Sequence, residues 1–192
     1  MISHELKCIF IHISRNGGKS IENAIWNVKA IHGSANHTKI KQWQHKLDKN
    51  IFDNYFKFTF SRNPWDRTVS LYHYYKQRNY YKDRRYFLTP KIMRSFETFV
   101  KFLESENGKL VAPTQISWIK DLKDEFIIDF IGRFENYEND WNKVCKQLSI
   151  TKKLPHLNKS KHKDYKIYYN KKLIKMVEDI YKEDIDFFNY DF

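Results

Sequence analysis

The stretch "KCIFIHISRNGGKS", residues 7–20, decides the fold because an apolar run leads directly into a glycine-rich turn. The run "CIFIHI" has the length and the β-branched and aromatic composition of a buried strand. After the turn, apolar residues recur at helical spacing from Ile21 to Val28 and predict a helix over 19–30. A buried strand, a turn and a helix are the repeating unit of an α/β fold.

The same alternation continues along the chain. "YFKFTFSR" (55–62) and "FIIDFIGRF" (126–134) are two further buried-strand candidates, and Asn63 and Pro64 predict a helix start after the first of them. We therefore predict a single α/β domain over 1–192, a P-loop-like three-layer sandwich with a central, mostly parallel sheet flanked by helices. Further helices are predicted near 38–48, 92–105, 136–148 and 171–187.

Composition limits the class of protein and of partner. The 192 residues are 41% hydrophobic and 17% aromatic, which is typical of a globular domain. Thirty-five Lys and Arg against 23 Asp and Glu give a net charge of +12, which favours anionic partners without choosing among them. No leader or apolar span is recognisable, so a soluble cytoplasmic protein is expected. Cys8 and Cys145 have no metal-ligand spacing and are expected to be reduced, structural thiols.

The turn after the first strand is a candidate anion site. Gly17 and Gly18 let the backbone approach an anion, Ser20 offers a hydroxyl, and Arg15 and Lys19 add positive charge at the start of a helix. An ordinary turn with a solvated lysine is the alternative.

A metal-dependent kinase is a rival interpretation, because "GGKS" matches the end of a nucleotide-binding P-loop. However, Ile13 occupies the position of that motif's first glycine, and Asp129 lies inside a predicted strand instead of at its carboxyl end. A second rival, a non-catalytic nucleic-acid-binding module, rests only on the positive charge and the interleaved aromatic residues.

A second anion site is predicted where the next strand ends. Arg62 lies at the carboxyl end of that strand and Ser70 on the following helix, so both can contact one phosphate. An ion pair of Arg62 with Asp66 is the alternative. Because the carboxyl ends of parallel strands share one edge of a sheet, the ligand should carry two separated anionic groups.

These two motifs resemble those of sulfotransferases of the carbohydrate and heparan-sulfate type. "IFIHISRNGGKSIENAI" resembles their 5′-phosphosulfate loop and "FKFTFSRNPWDRTVSLYHYY" their 3′-phosphate motif, while "IDFIGRFENYENDW", "LPHLNKSKHKDYKIYY" and "DIDFFNYDF" resemble three later blocks. The resemblance implies transfer of a sulfuryl group from 3′-phosphoadenosine 5′-phosphosulfate, without a metal, to a hydroxyl or amine of a glycan, glycolipid or small metabolite.

The resemblance also assigns roles to residues. It places the 3′-phosphate on Arg62 and Ser70, and it implies a catalytic role for Arg15, which stands where the family has lysine. Ser14, Asn16 and Lys19 also depart from the family pattern, and Lys19 can reach the same oxygens as Arg15. The 5′-phosphosulfate cradle corresponds to Asn16, Gly17, Gly18, Lys19 and Ser20.

Transfer to a hydroxyl needs a base to accept its proton. Relatives that use histidine carry it between the first helix and the second strand, so His37 is the first candidate and His45 the second. An ordinary surface histidine is the alternative for either, and Glu22 is a carboxylate candidate.

Three further parts of the chain are weaker candidates. Arg133 is expected to contact donor or acceptor, unless it pairs with Glu135 or Glu138. The basic, tyrosine-rich segment 78–94 is either an acceptor groove that suits an anionic glycan or a solvated loop. The residues expected to close over the nucleotide are Asn158, Lys159 and Ser160.

Overall fold

The computed structural model describes residues 1–27, 37–79, 87–155 and 163–192, and the chain divides into two compact units. The first unit combines Met1–Arg62 with Gln115–Lys159, and the second combines Asn63–Thr114 with Ser160–Phe192. The strands are β1 (Ile2–Ser3), β2 (Cys8–Ile11), β3 (Phe56–Ser61) and β4 (Phe130–Arg133). The helices are α1 (Gly18–Trp26), α2 (Ile40–Lys46), α3 (Lys49–Asn54), α4 (Pro64–Gln77), α5 (Phe96–Leu103), α6 (Glu106–Val111), α7 (Tyr137–Gln147), α8 (Lys171–Ile180) and α9 (Lys182–Phe188). Short 3-10 turns cover Ile92–Arg94, Ile116–Trp118, Phe134–Asn136 and Tyr165–Tyr168.

The first unit contains the sheet, whose strand order is β1-β2-β3-β4. β2, β3 and β4 are parallel, with Phe58 opposite both Phe10 and Phe130, whereas β1 is antiparallel to β2. This confirms an α/β fold with a mostly parallel sheet. The strand predicted over 126–134 is shorter than expected, because Phe126 instead pairs with Lys120 in an isolated antiparallel bridge.

The core of the first unit lies against one face of the sheet. Alternate side chains of β2 and β3 point to this face, and α1 and α7 cover it. All four residues of β2 are buried, as in a strand covered on both faces. The three-layer arrangement itself stays a prediction. The buried residues of this cluster are Cys8, Phe10, Ile21, Phe58, Phe60, Trp141, Val144, Cys145 and Leu148.

The second unit begins with α4, whose start is the one predicted. The Asn63 side chain accepts hydrogen bonds from the backbone N–H groups of Trp65, at 3.0 Å, and Asp66, at 3.4 Å. Trp65, Val69 and Tyr72, at helical spacing along α4, are all buried. An N-cap of this kind stabilises a helix by about 1 kcal/mol.

Tyr181 lies at the centre of the second unit. Its hydroxyl donates to the Ala112 carbonyl at 3.0 Å, and the buried Arg67 guanidinium lies over its ring. Tyr181 also separates α8 from α9, so the helix predicted over 171–187 is broken there. None of the helices in the described ranges combines the length and apolar character that a membrane crossing requires.

Candidate functional site

Two glycines shape the turn between β2 and α1. Gly17 has a φ of 83°, in the left-handed region, and a Cβ there would lie 2.6 Å from the Tyr137 hydroxyl oxygen. A Cβ on Gly18 would lie 2.2 Å from Cδ2 of His12. Gly17, the N-cap of α1, has no side chain to cap the helix, and backbone N–H groups at a helix N-terminus favour anions.

Glu22 lies beneath this turn and is fully buried. Its Oε1 lies 2.7 Å from Nδ1 of His12, and its Oε2 lies 3.1 Å from Nζ of Lys19. Burial alone would raise the pKa of Glu22, but the hydrogen bond from His12 and the Lys19 ammonium together hold that pKa below its ordinary value. Glu22 is therefore a carboxylate that orients both neighbours.

The ionised Glu22 fixes the protonation of His12. Burial lowers the pKa of His12, so its ring is neutral, and a carboxylate acceptor requires the proton to be on Nδ1. His12 was not predicted as a site residue. Its position inside "CIFIHI" resembles any other strand position, and only the contacts with Gly18 and Glu22 reveal its role.

His37 lies in the loop before α2, beside His12. Their ring centroids are 4.5 Å apart, and Nδ1 of His37 lies 3.0 Å from the His12 carbonyl oxygen. A carbonyl only accepts hydrogen bonds, so Nδ1 carries the proton and Nε2 has a free lone pair when the ring is neutral. Desolvation of the ring lowers the pKa of His37, which favours that neutral state, although one side of the residue remains exposed.

Arg62, at the end of β3, contacts the glycine-rich turn. Its Nη1 donates to the Arg15 carbonyl at 2.8 Å, and its guanidinium lies 4.1 Å from the centroid of the Phe134 ring. Arg15 itself has a φ of 68°, an uncommon conformation that this hydrogen bond helps to hold. The structure thus brings together the first loop and the arginine of the second motif.

Gln115 connects the same two elements and was missed from the sequence. Its Oε1 accepts from the backbone N–H of Arg62 at 2.9 Å and from Nδ2 of Asn16 at 2.6 Å. Its Nε2 donates to the Arg62 carbonyl at 2.8 Å. Asn16 also donates to the Phe60 carbonyl at 2.6 Å, so it supports the loop from below. Nothing in "APTQIS" distinguishes this glutamine from a surface residue.

The other predicted site residues lie at several places. Ser20 is buried and hydrogen bonds to the Tyr137 hydroxyl, and Ser70 is buried on α4 of the second unit. His45 is exposed in the last turn of α2, and Arg133 is exposed at the end of β4. Residues 80–86 of the basic segment lie outside the described residues, as do Asn158, Lys159 and Ser160.

Two features bear on metal-dependent chemistry. Asp129 precedes β4, and its carboxylate accepts from the Lys57 backbone N–H at 2.6 Å, so it is remote from the carboxyl end of that strand. Within the described ranges, no group of three or more His, Cys, Asp or Glu side chains is arranged to hold a metal ion.

Comparison with known proteins agrees with this geometry. The sulfotransferase family model matches residues 1–191. The chain belongs to the sulfotransferase family. A protein of Archaeoglobus fulgidus described as uncharacterized is 33% identical over 113 residues, which are 58% of this chain and 82% of that protein. No solved structure matches the chain significantly. Membership in the sulfotransferases supports sulfuryl transfer in general, and it gives no support to the kinase or nucleic-acid-binding interpretations.

Proposed function

We propose that this sulfotransferase moves a sulfuryl group from 3′-phosphoadenosine 5′-phosphosulfate to an acceptor hydroxyl or amine by in-line transfer. The contact of the Arg62 guanidinium with the Arg15 carbonyl is the observation that carries the proposal. It joins two anion-binding motifs that are 47 positions apart in the chain. Sulfotransferases typically use this donor, and it has anionic groups on both sides of its ribose.

The residues of the first loop fit the anionic end of such a donor. The backbone N–H groups at the N-terminus of α1 and the Lys19 ammonium are donors at one place. An ammonium has three N–H donors, and Glu22 is the acceptor next to it among the described residues, so Lys19 retains donors for a bound anion. The donor, when bound, supplies the sulfuryl group. Asn16, Gly17, Gly18 and Ser20 form the remaining cradle in this proposal, Ser70 joins Arg62 on the 3′-phosphate, and Arg133, Asn158, Lys159 and Ser160 are further contacts.

His37 is the proposed base. Nε2 of His37 takes the proton from the hydroxyl group of the acceptor molecule, while Nδ1–H of His37 keeps its hydrogen bond to the His12 carbonyl oxygen. Arg15 and Lys19 stabilise the negative charge that develops on the oxygen of the leaving group, and the buried Glu22 fixes the position of Lys19. His45, the second candidate, is exposed at the far end of α2 and lacks a comparable anchor among the described residues.

The net charge supports our proposal for the acceptor class. A net charge of +12 favours an anionic acceptor, for which a glycan with carboxylate or sulfate groups is our proposal, with glycolipids and small hydroxylated metabolites as the wider class. The family match spans both compact units, which supports a single sulfotransferase domain over 1–192.

Binding of the nucleotide product tests the proposal. We expect 3′-phosphoadenosine 5′-phosphate to raise the Tm of the protein, and we expect Arg62→Lys and Arg62→Ala to weaken this effect progressively, because lysine keeps the charge but loses the forked contact. Lys41→Ala, which removes an exposed charge from α2, is the control and should leave the shift unchanged. Absence of any shift in the wild type at saturating nucleotide would contradict the proposal.

The same assay separates binding from turnover at His37. We expect His37→Asn to keep the nucleotide-induced Tm shift and to lower sulfate transfer from labelled donor by at least about 100-fold, the usual scale of general base catalysis. His45→Asn is the matched control and should transfer sulfate normally. Equal turnover in the two variants would assign the base to another group.

A further inference from the structure

Trp118 lies between the neutral His37 ring and the ammonium group of Lys39. The His37 ring packs edge-on against the indole with centroids 5.8 Å apart, and Nζ of Lys39 lies over the same indole, 5.7 Å from its centroid. Trp118 is 7% exposed, so its place is fixed by packing. The proposed base and a lysine therefore share one rigid aromatic neighbour.

Lys39 has few partners for a half-buried charge. Its ammonium lies 3.4 Å from the Ser117 hydroxyl, and no carboxylate in the described part of the chain is within ion-pair distance. Partial burial lowers the pKa of Lys39, and the neighbouring Lys41 lowers it further. A desolvated ammonium without a counter-ion is unfavourable, so the position is suited to an incoming anion.

Asp121, the first acidic residue after Trp118 in the chain, has hydrogen-bond partners of its own. Asp121 follows Trp118 in the chain, but its carboxylate accepts from the backbone N–H groups of Lys123 and Glu125 and from the Gln44 side chain. Asp121 thus stabilises its own turn, and these contacts occupy its oxygens.

Trp118 has an unmet donor as well. Its indole Nε1–H is buried and has no hydrogen-bond partner among the described residues. The indole N–H and the Lys39 ammonium, which keeps donors beyond its one hydrogen bond to Ser117, are groups without any acceptor function. A ligand that satisfies these donors must bring acceptor oxygens. A carboxylate or a sulfate brings them together with a negative charge that pairs with the Lys39 ammonium.

We propose that Lys39, Ser117 and Trp118 form an acceptor subsite for an anionic group, a carboxylate or a sulfate ester, on the molecule whose hydroxyl faces His37. This inference rests on the proposed sulfuryl transfer and names the acceptor class more closely. The subsite binds the anionic group of the acceptor and thereby positions the acceptor hydroxyl next to Nε2 of His37.

Three sugars that differ in one group test the subsite directly. The full chain, saturated with 3′-phosphoadenosine 5′-phosphate, is titrated with methyl β-D-glucuronide, methyl β-D-glucoside 6-sulfate and methyl β-D-glucoside, following the Trp118 indole N–H resonance assigned with Trp118→Phe. We expect at least one anionic sugar to shift this resonance and to bind about tenfold more tightly than the neutral one. The tighter of the two identifies carboxylate or sulfate ester. Equal affinity for all three sugars would overturn the proposal.

Two lysines two positions apart provide the matched control. Lys39→Met removes the charge and keeps the stem over the indole, while Lys41→Met removes the same charge from an exposed site. We expect only Lys39→Met to lose the preference for anionic sugars, and Lys39→Arg to restore it. Equal loss in both variants would mean general charge attraction and would overturn the subsite.

Binding of 3′-phosphoadenosine 5′-phosphate distinguishes a failure of the acceptor subsite from a failure of the proposed function. Lys39→Met should bind 3′-phosphoadenosine 5′-phosphate with unchanged affinity, and a tenfold loss would assign Lys39 to the donor and overturn the acceptor subsite. If the wild type does not bind the nucleotide, the proposed function fails. The same sugar titration without nucleotide then still tests the anion subsite.

Discussion

At the scale of single residues, His12 and Gly18 depend on each other. The His12 ring occupies the space that a Cβ on residue 18 would need, at 2.2 Å from Cδ2 and 2.3 Å from Nε2. This contact lets the same ring support the glycine-rich turn and hold Glu22. It also explains why a second glycine is required at a position with an ordinary backbone conformation.

The pair can be tested with a double-mutant cycle. Gly18→Ala should destabilise the protein by about 1 to 3 kcal/mol through overpacking, which outweighs the gain of at most about 1 kcal/mol from better helix propensity. In a His12→Ala background the same change should cost much less, since the ring is gone. Denaturant unfolding of the four proteins measures the coupling energy. An equal cost of Gly18→Ala in both backgrounds would refute the contact.

His12 also makes stability depend on pH. Burial lowers the pKa of His12 from its ordinary 6.5, so the unfolded chain takes up this proton before the folded chain does. The contribution of neutral His12 to the free energy of unfolding is therefore fully present above pH 6.5 and declines as the pH falls below that value. The contribution of ionised Glu22 is lost only below its ordinary pKa of 4.5. The other groups facing His12 are Lys19 and His37, and the lowered pKa of His37 acts in the same direction.

We expect the wild type to lose about 1 to 2 kcal/mol of stability between pH 7 and pH 5 from this residue. His12→Asn keeps a donor near the position of Nδ1 but has no titrating group, so its stability should decline less over that range. The free energy of unfolding as a function of pH is the measurement. His37→Asn, examined alongside, separates the contribution of the second histidine, and identical slopes in the wild type and His12→Asn would rule out the assignment.

At the scale of elements, the sequence predicts what depends on local pattern. The helix start at Asn63 and the place of Arg62 at a strand end were predicted, because each follows from a local motif or from the rule that parallel strands end at one edge. β1 has two residues and carries too little pattern to recognise. The break at Tyr181 depends on tertiary contacts with Ala112 and Arg67, which no local pattern contains.

Gln115 joins elements that no motif connects, and its removal is a test at this scale. Gln115→Met should remove the hydrogen bonds that Gln115 makes with the Arg62 backbone and the Asn16 amide, at a cost of about 2 kcal/mol or more, and should weaken binding of 3′-phosphoadenosine 5′-phosphate. Gln147→Met, at the exposed end of α7, is the control. Thermal unfolding and nucleotide titration measure both effects. If Gln115→Met behaves like the control, the glutamine does not organise the loop.

At the scale of the whole molecule, the net charge of +12 should act on encounter with ligands. We expect the affinity for 3′-phosphoadenosine 5′-phosphate to fall several-fold between about 50 mM and 200 mM salt, because screening weakens attraction of a multiply charged anion. Adenosine, which shares the base but has no phosphate, is the matched ligand and should show little dependence. Equal salt dependence of the two ligands would exclude electrostatic steering.

The hydrogen bonds of Gln115 with Arg62 and Asn16 have a consequence for the order of folding. Its partners Arg62 and Asn16 lie 53 and 99 positions earlier in the chain, so these contacts close long loops. Contacts of this range form slowly, because the entropy of loop closure is lost before they contribute any stability. During synthesis β2, α1 and β3 are complete well before Gln115 is added, so the glycine-rich turn gains its hydrogen bond from Asn16 to Gln115 only then. Nucleotide binding by this turn, as we propose it, is therefore an ability that the chain acquires late in its synthesis.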